Sequence, residues 1–196
     1  MRRLALFDVD GTLTRRDTMF LFLRHALGTG GALLAVARAL PTLVLHVVGV
    51  VDNERAKRSL LGAAFGGAAQ GELEAAAATF ADVVDAELRP GALERLRRHR
   101  DDGDTVLLVS ASLDLWLAPW ARRHELRLLA TPTAWQEGRF AGLGGPNNHG
   151  PRKAERVQEA VELAGFGHVV GYGDSSGDTE MLALCAEVHF RPFRGG

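Results

Sequence analysis

One cysteine among 196 residues leaves nothing for an internal disulfide, so Cys185 is expected as a core thiol in a reducing, cytoplasmic setting. Basic excess is missing too. A formal net charge of −1 offers no surplus of cations to displace phosphate counterions, and no nucleic-acid partner is expected. Arg95, Arg97, Arg98 and Arg100 cluster, but Asp101, Asp102 and Asp104 follow, as at a solvated helix end. An uninterrupted membrane-length apolar run is also lacking. Arg38, Pro41 and His46 punctuate Leu33 to Val51, and the stretch free of Asp, Glu, Lys and Arg, Ala39 to Val51, falls short of the about 20 residues a spanning helix needs. Packed helices are expected there, with interfacial lipid contact as the secondary reading. Asp8 and Asp10 break the N-terminal apolar run where a signal-peptide core would continue, so no secretory leader is expected. No Gly-x-x-x-x-Gly-Lys loop occurs, and Gly171-x-Gly173 fails as a dinucleotide loop because position 176 is serine. A 46% hydrophobic and 24% charged composition excludes disorder and suits one sizeable core with a smaller appended domain.

What is present is organised around Leu4-Ala5-Leu6-Phe7-Asp8-Val9-Asp10-Gly11-Thr12-Leu13. Four apolar residues read as a buried strand, and two carboxylates and a glycine follow at once. Beyond Leu13 the pattern becomes helical. Asp17-Thr18 caps a helix from Met19 to Leu27 that Gly28, Gly30 and Gly31 end. A second helix covers Ala32 to Leu40 before Pro41, a third runs from Glu54 to Phe65 behind Asp52-Asn53, and a fourth from Glu72 to Leu88. From Pro90 onward helix and strand alternate: helix 92–99, strand 105–109 ending at Ser110-Ala111-Ser112, helix 115–124, strand 127–130, a hairpin 133–143 turning at Glu137-Gly138, helix 151–164, strand 168–172, helix 179–186 and strand 187–190. The alternation predicts an α/β fold: a Rossmann-like parallel sheet flanked by helices, with an all-helical cap inserted after the first strand. Residues 1–13 and 90–196 form the core, and 14–89 the cap. Asp8, Asp10, Ser110 and Asp174 then fall at strand ends, on the rim where open parallel sheets bind ligands.

Crowded carboxylates at such a rim need a cation or ordered donors. A strand-end aspartate can attack phosphorus and form an aspartyl-phosphate, and a second carboxyl can protonate the leaving oxygen and deprotonate water. Asp174 adds an oxygen ligand for Mg2+. Lys153, at a helix start, suits an anion held there. Plainer readings compete for each. Asp-Gly can turn a hairpin, but residues 12–17 show no return strand. A calcium loop would want glycine and glutamate where Leu13 and Met19 stand. Solvated turn carboxylates, a helix-capping Asp174 or Asp178, a backbone-satisfying Ser110 and a solvated Lys153 are the remaining options.

The order Asp8-Val9-Asp10-Gly11-Thr12-Leu13, Val109-Ser110-Ala111-Ser112, Lys153 and Gly173-Asp174-Ser175-Ser176-Gly177-Asp178 resembles the haloacid-dehalogenase-like hydrolases, in the branch that includes phosphoserine phosphatases. The resemblance implies Asp8 as nucleophile and Asp10 as general acid and base. It implies Ser110, Ala111 and Lys153 as phosphate holders, and Mg2+ on Asp8, the Asp10 carbonyl and Asp174, supported by Asp178 and Thr12. Asp17 stands where phosphoserine phosphatases carry a glutamate, and Arg55 or Arg58 is expected to hold a substrate carboxylate. The expected activity is hydrolysis of a small-molecule phosphate monoester, phosphoserine-like. The alternatives are a lipid-phosphate phosphatase of phosphatidylglycerophosphate or lysophosphatidate type, a phosphate- or lipid-binding protein without turnover, and a dehalogenase, which Asp10 argues against. Oligomeric state is left open.

Overall fold

The computed structural model describes residues 2–194. Five parallel strands form the sheet in the order β3-β2-β1-β6-β7: β1 (Arg3–Phe7), β2 (Thr105–Leu113), β3 (Arg127–Thr131), β6 (His168–Gly173) and β7 (Glu187–Phe190). A two-stranded antiparallel hairpin, β4 (Thr133–Gln136) and β5 (Arg139–Leu143), stands apart from it. Glu137 and Gly138 both take positive φ, of 51° and 71°, as a two-residue hairpin turn requires. The central strand β1 pairs with β2 on one side and β6 on the other, Phe7 lying level with Leu108 and Tyr172. Alternation along β1 sends Ala5 and Phe7 to one face and Leu4 and Leu6 to the other, and each face has its own hydrophobic cluster.

Between β1 and β2 stand α1 (Thr18–Val47), α2 (Asn53–Phe65), α3 (Gln70–Glu87) and α4 (Ala92–Asp101). The glycine break expected after Leu27 is present: Gly28, at φ 68°, leaves the helical conformation and divides α1 into two segments. Asp17 and Asp52 cap α1 and α2 through Met19 N and Arg55 N. Residues 14–89 form no strand, although one isolated antiparallel bridge, Thr14 to Leu88, closes the base of the insert. Arg16 and buried Glu87 form an ion pair there. After β2 come α5 (Asp114–Arg123), α6 (Pro151–Ala160) and α7 (Thr179–Leu182). The last two are shorter than the sequence pattern indicates. The chain beyond Ala160 turns instead through a 3-10 segment, Leu163–Gly165, and α7 stops four residues before Ala186.

The insert shares the core of one sheet face. Phe22 of α1 is fully buried, with ring centroids 5.6 Å from Phe65 of α2, 5.1 Å from Phe80 of α3 and 5.1 Å from Trp116 of α5. Asp85 of α3 accepts hydrogen bonds from Trp120 Nε1 at 2.8 Å and Arg123 Nη1 at 2.9 Å. The hairpin packs on the insert as well: Phe65 and Phe140 rings lie 5.8 Å apart, and the Phe140 amide donates to Ala68 O at 2.9 Å. Phe22→Ala removes the hub of this cluster and should lower unfolding stability by about 3–5 kcal/mol, read from a urea melt. A loss below about 1 kcal/mol would show that the insert does not fold with the sheet.

Candidate active site

β1 delivers Asp8 and Asp10 off the end of the sheet, and Gly11 then turns the chain at φ 83°. A Cβ at Gly11 would lie 2.6 Å from Asp174 Oδ2, so only glycine lets this loop pass so close to the one following β6. Lys153, in the first turn of α6 behind Pro151, reaches the same rim. Its ammonium donates to Asp8 Oδ1 and to Asp178 Oδ1, each at 2.5 Å. All three side chains are buried. Burial raises Asp8 to about 7, Lys153 opposing the rise while Asp178 and Asp10 add to it. Burial also works against the charged lysine, yet Asp8 and Asp178 outweigh it and hold Lys153 above its ordinary range. Asp178 is likewise penalised by burial and still falls below the usual carboxylate range, because Lys153 and the Asp174 and Ser175 amides stabilise its charge.

β2 continues through Ser110 to Leu113 rather than ending before the serines, but its pairing with β3 is irregular between Val109 and Leu113. The irregularity frees the serine pair for the site. Ser110 Oγ donates to Asp10 Oδ2 at 3.0 Å and Ser112 Oγ at 2.8 Å. The Thr18 amide, at the start of α1, donates to Asp10 Oδ1 at 2.7 Å. Asp10 is thus held by two strand-end hydroxyls and a helix N-terminus. In this state Ser110, expected as a phosphate holder, spends its hydroxyl on Asp10. Thr12 Oγ1 is 3.4 Å from Asp174 Oδ1, and Arg194 near the C-terminus pairs with Asp174 Oδ2. Burial and Asp178 push Asp174 upward, and Arg194 resists.

Asp8, Asp174 and Asp178 each offer a carboxylate oxygen within 4.8 Å of the others. The donors are all hard oxygens, and Asp8 Oδ2 is buried without a hydrogen-bond partner among the described residues. Such a set fits Mg2+. Asp178 stands apart within it: Lys153 takes Oδ1, while the Asp174 and Ser175 amides, both at 3.0 Å, and the Ser175 hydroxyl at 3.1 Å take Oδ2. Its place is to hold the loop and the lysine.

A cavity of about 420 Å³ opens over Asp8, Asp10, Ala111, Lys153 and Asp174. Asp17 lies exposed at its rim. Neither Arg55 nor Arg58 lines the cavity. Arg55 is exposed, while Arg58 binds Glu54 Oε1 at 2.8 Å and Gly145 O at 3.2 Å. Ala56 and Lys57, between them, do line it, and the Lys57 ammonium donates to Ala111 O at 2.8 Å and Asn147 Oδ1 at 2.9 Å. Burial lowers its pKa against the pull of Asp10 and Asp17. Sequence reasoning passed over Lys57, although it precedes buried Leu60 and Leu61 by three and four residues, the spacing of one helix face. His149 lines the cavity too, against Gly177, where a Cβ would meet its Nε2 at 2.5 Å.

This chain belongs to the haloacid dehalogenase-like hydrolase family, whose model matches residues 5–183. Among relatives, Protein CicA of Caulobacter vibrioides is 36% identical over 199 aligned positions, 98% of this chain and 87% of CicA. A Bordetella pertussis Tohama I protein of unknown function superposes with a TM-score of 0.82 at 28% identity, over 96% of this chain and 89% of that one. A substrate-bound phosphoserine phosphatase superposes with a TM-score of 0.68 at 17% identity, over 97% and 86%. At that identity the match speaks for the fold.

Replacing Lys153 with methionine leaves two buried carboxylates facing each other, and breaking such a buried pair costs about 3–5 kcal/mol. The sign of the pH dependence follows from Asp8. Burial and Asp178 raise Asp8 while Lys153 opposes them, so in the variant its folded pKa is pushed further up, and a carboxyl raised in the folded state costs increasing stability as pH rises above its unfolded value. Lys153→Met should therefore destabilise the protein more at pH 8 than at pH 5. Equal losses in thermal melts at the two pH values would contradict the charge arrangement.

Proposed function

We propose that this hydrolase is a Mg2+-dependent phosphatase acting on phosphate monoesters through a phosphorylated Asp8. The observation that carries the reading is the buried Asp8, with one oxygen fixed by Lys153 and the other unpartnered, at the floor of a cavity. Family membership and the phosphoserine phosphatase-like fold support phosphoryl transfer, and members of the family generally use Mg2+.

Asp8 Oδ2 attacks phosphorus in line with the departing ester oxygen, and Asp10 gives that oxygen its proton. Water then attacks the acyl-phosphate, Asp10 now taking the proton, and inorganic phosphate leaves. Thr18 N, Ser110 and Ser112 keep Asp10 in one orientation for both transfers. Lys153 aligns Asp8 and offsets the charge gathering on the phosphoryl oxygens. Ala111 lines the phosphate end of the cavity. Asp8 and Asp174, with Asp178 behind them, would hold Mg2+, which when bound would further neutralise that charge. Cationic Lys57, at the cavity wall, is the insert's contribution to binding an anionic substrate. It takes the place foreseen for Arg55 or Arg58.

p-Nitrophenyl phosphate should be hydrolysed with Mg2+ and not with a chelator, and Asp8→Asn should lose roughly 10³-fold or more of kcat. Asp10→Asn should lose about 10²–10⁴-fold. Full activity in Asp8→Asn would end the covalent mechanism. Mg2+ binding has its own signature. Because a ligating carboxylate must be deprotonated and Asp8 sits near about 7, added Mg2+ should raise Tm more at pH 8 than at pH 5.5. No Mg2+ shift at either pH would remove the metal from the reading.

A further inference from the structure

The second segment of α1 turns a long apolar stripe to water. Leu33, Leu40, Val44 and Val47 recur at helical spacing on one side, with Leu33 65% and Val47 84% exposed. Val48 and Val50 extend the patch into the turn before α2, while Ala35 and Ala39 are buried on the opposite side. The second segment bears one charged side chain, exposed Arg38, and residues 29–51 contain no Asp or Glu. Leu43 and His46 of this segment, with Phe20 of the preceding one, also line the catalytic cavity. Phe20 is itself 51% exposed, so the cavity reaches the surface along α1. One helix therefore serves as both cavity wall and exposed apolar surface.

We propose that this face of α1 docks the protein on an anionic lipid bilayer, and that the cavity takes its substrate from that surface as an amphiphilic phosphate monoester. The phosphate end of the proposal rests on the phosphatase reading above; the docking does not. The substrate's phosphate lies at Asp8 and Lys153, and its apolar body leaves past Leu43 and Phe20 toward the stripe. By length and composition α1 is apolar enough to cross a membrane, but its first segment is committed elsewhere. Leu21, Phe22 and Leu23 are buried in the core, and the Thr18 amide holds Asp10. The break at Gly28 lets the second segment lie along an interface while the first stays in place. A two-fold interface between copies fits less well. It would set Arg38 of each copy against the same patch of the other, with no carboxylate in residues 29–51 to pair it. Anionic headgroups supply the missing charge.

The test uses the whole chain and the variant Leu33→Glu/Val47→Glu, both changes lying outside the cavity. Wild type should co-sediment with mixed phosphatidylcholine–phosphatidylglycerol vesicles and less with phosphatidylcholine alone. It should also hydrolyse dioleoyl phosphatidate carried in the mixed vesicles. The variant should lose vesicle binding and phosphatidate turnover by about tenfold or more, with p-nitrophenyl phosphate turnover in solution unchanged. Absence of sedimentation with either vesicle, or equal sedimentation of the variant, would overturn the docking. So would a solution dimer that the variant splits in light scattering. Binding without phosphatidate turnover, in a protein that hydrolyses p-nitrophenyl phosphate, would overturn the substrate assignment alone. Loss of p-nitrophenyl phosphate turnover in wild type would instead strike the phosphatase reading, and vesicle sedimentation would still decide the docking.

Discussion

A single ammonium group placed between two buried carboxylates is the constraint the rest of the molecule answers to. Asp8 and Asp178 come from the ends of different strands, and only Lys153, from a third element, makes their proximity tolerable. Three separate pieces of chain must reach one point within hydrogen-bond distance, and the parallel sheet is what brings them there. Its central strand supplies Asp8, its neighbour β6 leads into the Asp178 loop, and α6 presents the lysine from its first turn. The balance is incomplete: two carboxylates face one cation, and one oxygen of Asp8 remains without a partner among the described residues. A buried acceptor left in that state is costly unless function uses it.

The organisation around Asp10 follows a different logic. Its direct hydrogen-bond donors among the described residues are hydroxyls and a helix-end amide, with the Lys57 ammonium pulling from the cavity wall. Two aspartates two residues apart in sequence thus stand in unlike environments, one clamped by charge and the other by neutral donors. Unlike surroundings are how one protein separates the duties of two chemically identical groups.

Much of this was legible from the chain alone. Apolar runs ending in acid and glycine located the strands and their rim, since a buried strand followed by paired carboxylates has few stable explanations. Strand alternation gave the parallel sheet. The misses share a cause: each depends on a partner distant in sequence. β2 looked finished at Val109 because serines are poor strand residues, yet Ser110 and Ser112 extend it, oriented by an aspartate about a hundred residues earlier. The resemblance points to Arg55 or Arg58 and passes over Lys57, but helix phase assigns the first to solvent and the second to Glu54. The Arg194 pairing with Asp174 had no local signature at all. The apolar segment after Leu33 was expected to be packed, and only Ala35 and Ala39 of it are strongly buried.

The β4–β5 hairpin is covalently part of the second half of the chain, but its backbone bonds at Ala68 and Gln70 and its Phe140 ring tie it to the helical insert. The helices that wall the cavity are therefore buttressed by a second stretch of chain, separated from them in sequence by α4, β2, α5 and β3. Transplanting substrate preference from one relative to another by exchanging the contiguous insert would leave that buttress behind. A working chimera must carry both stretches together, and natural variation in one should be matched by variation in the other.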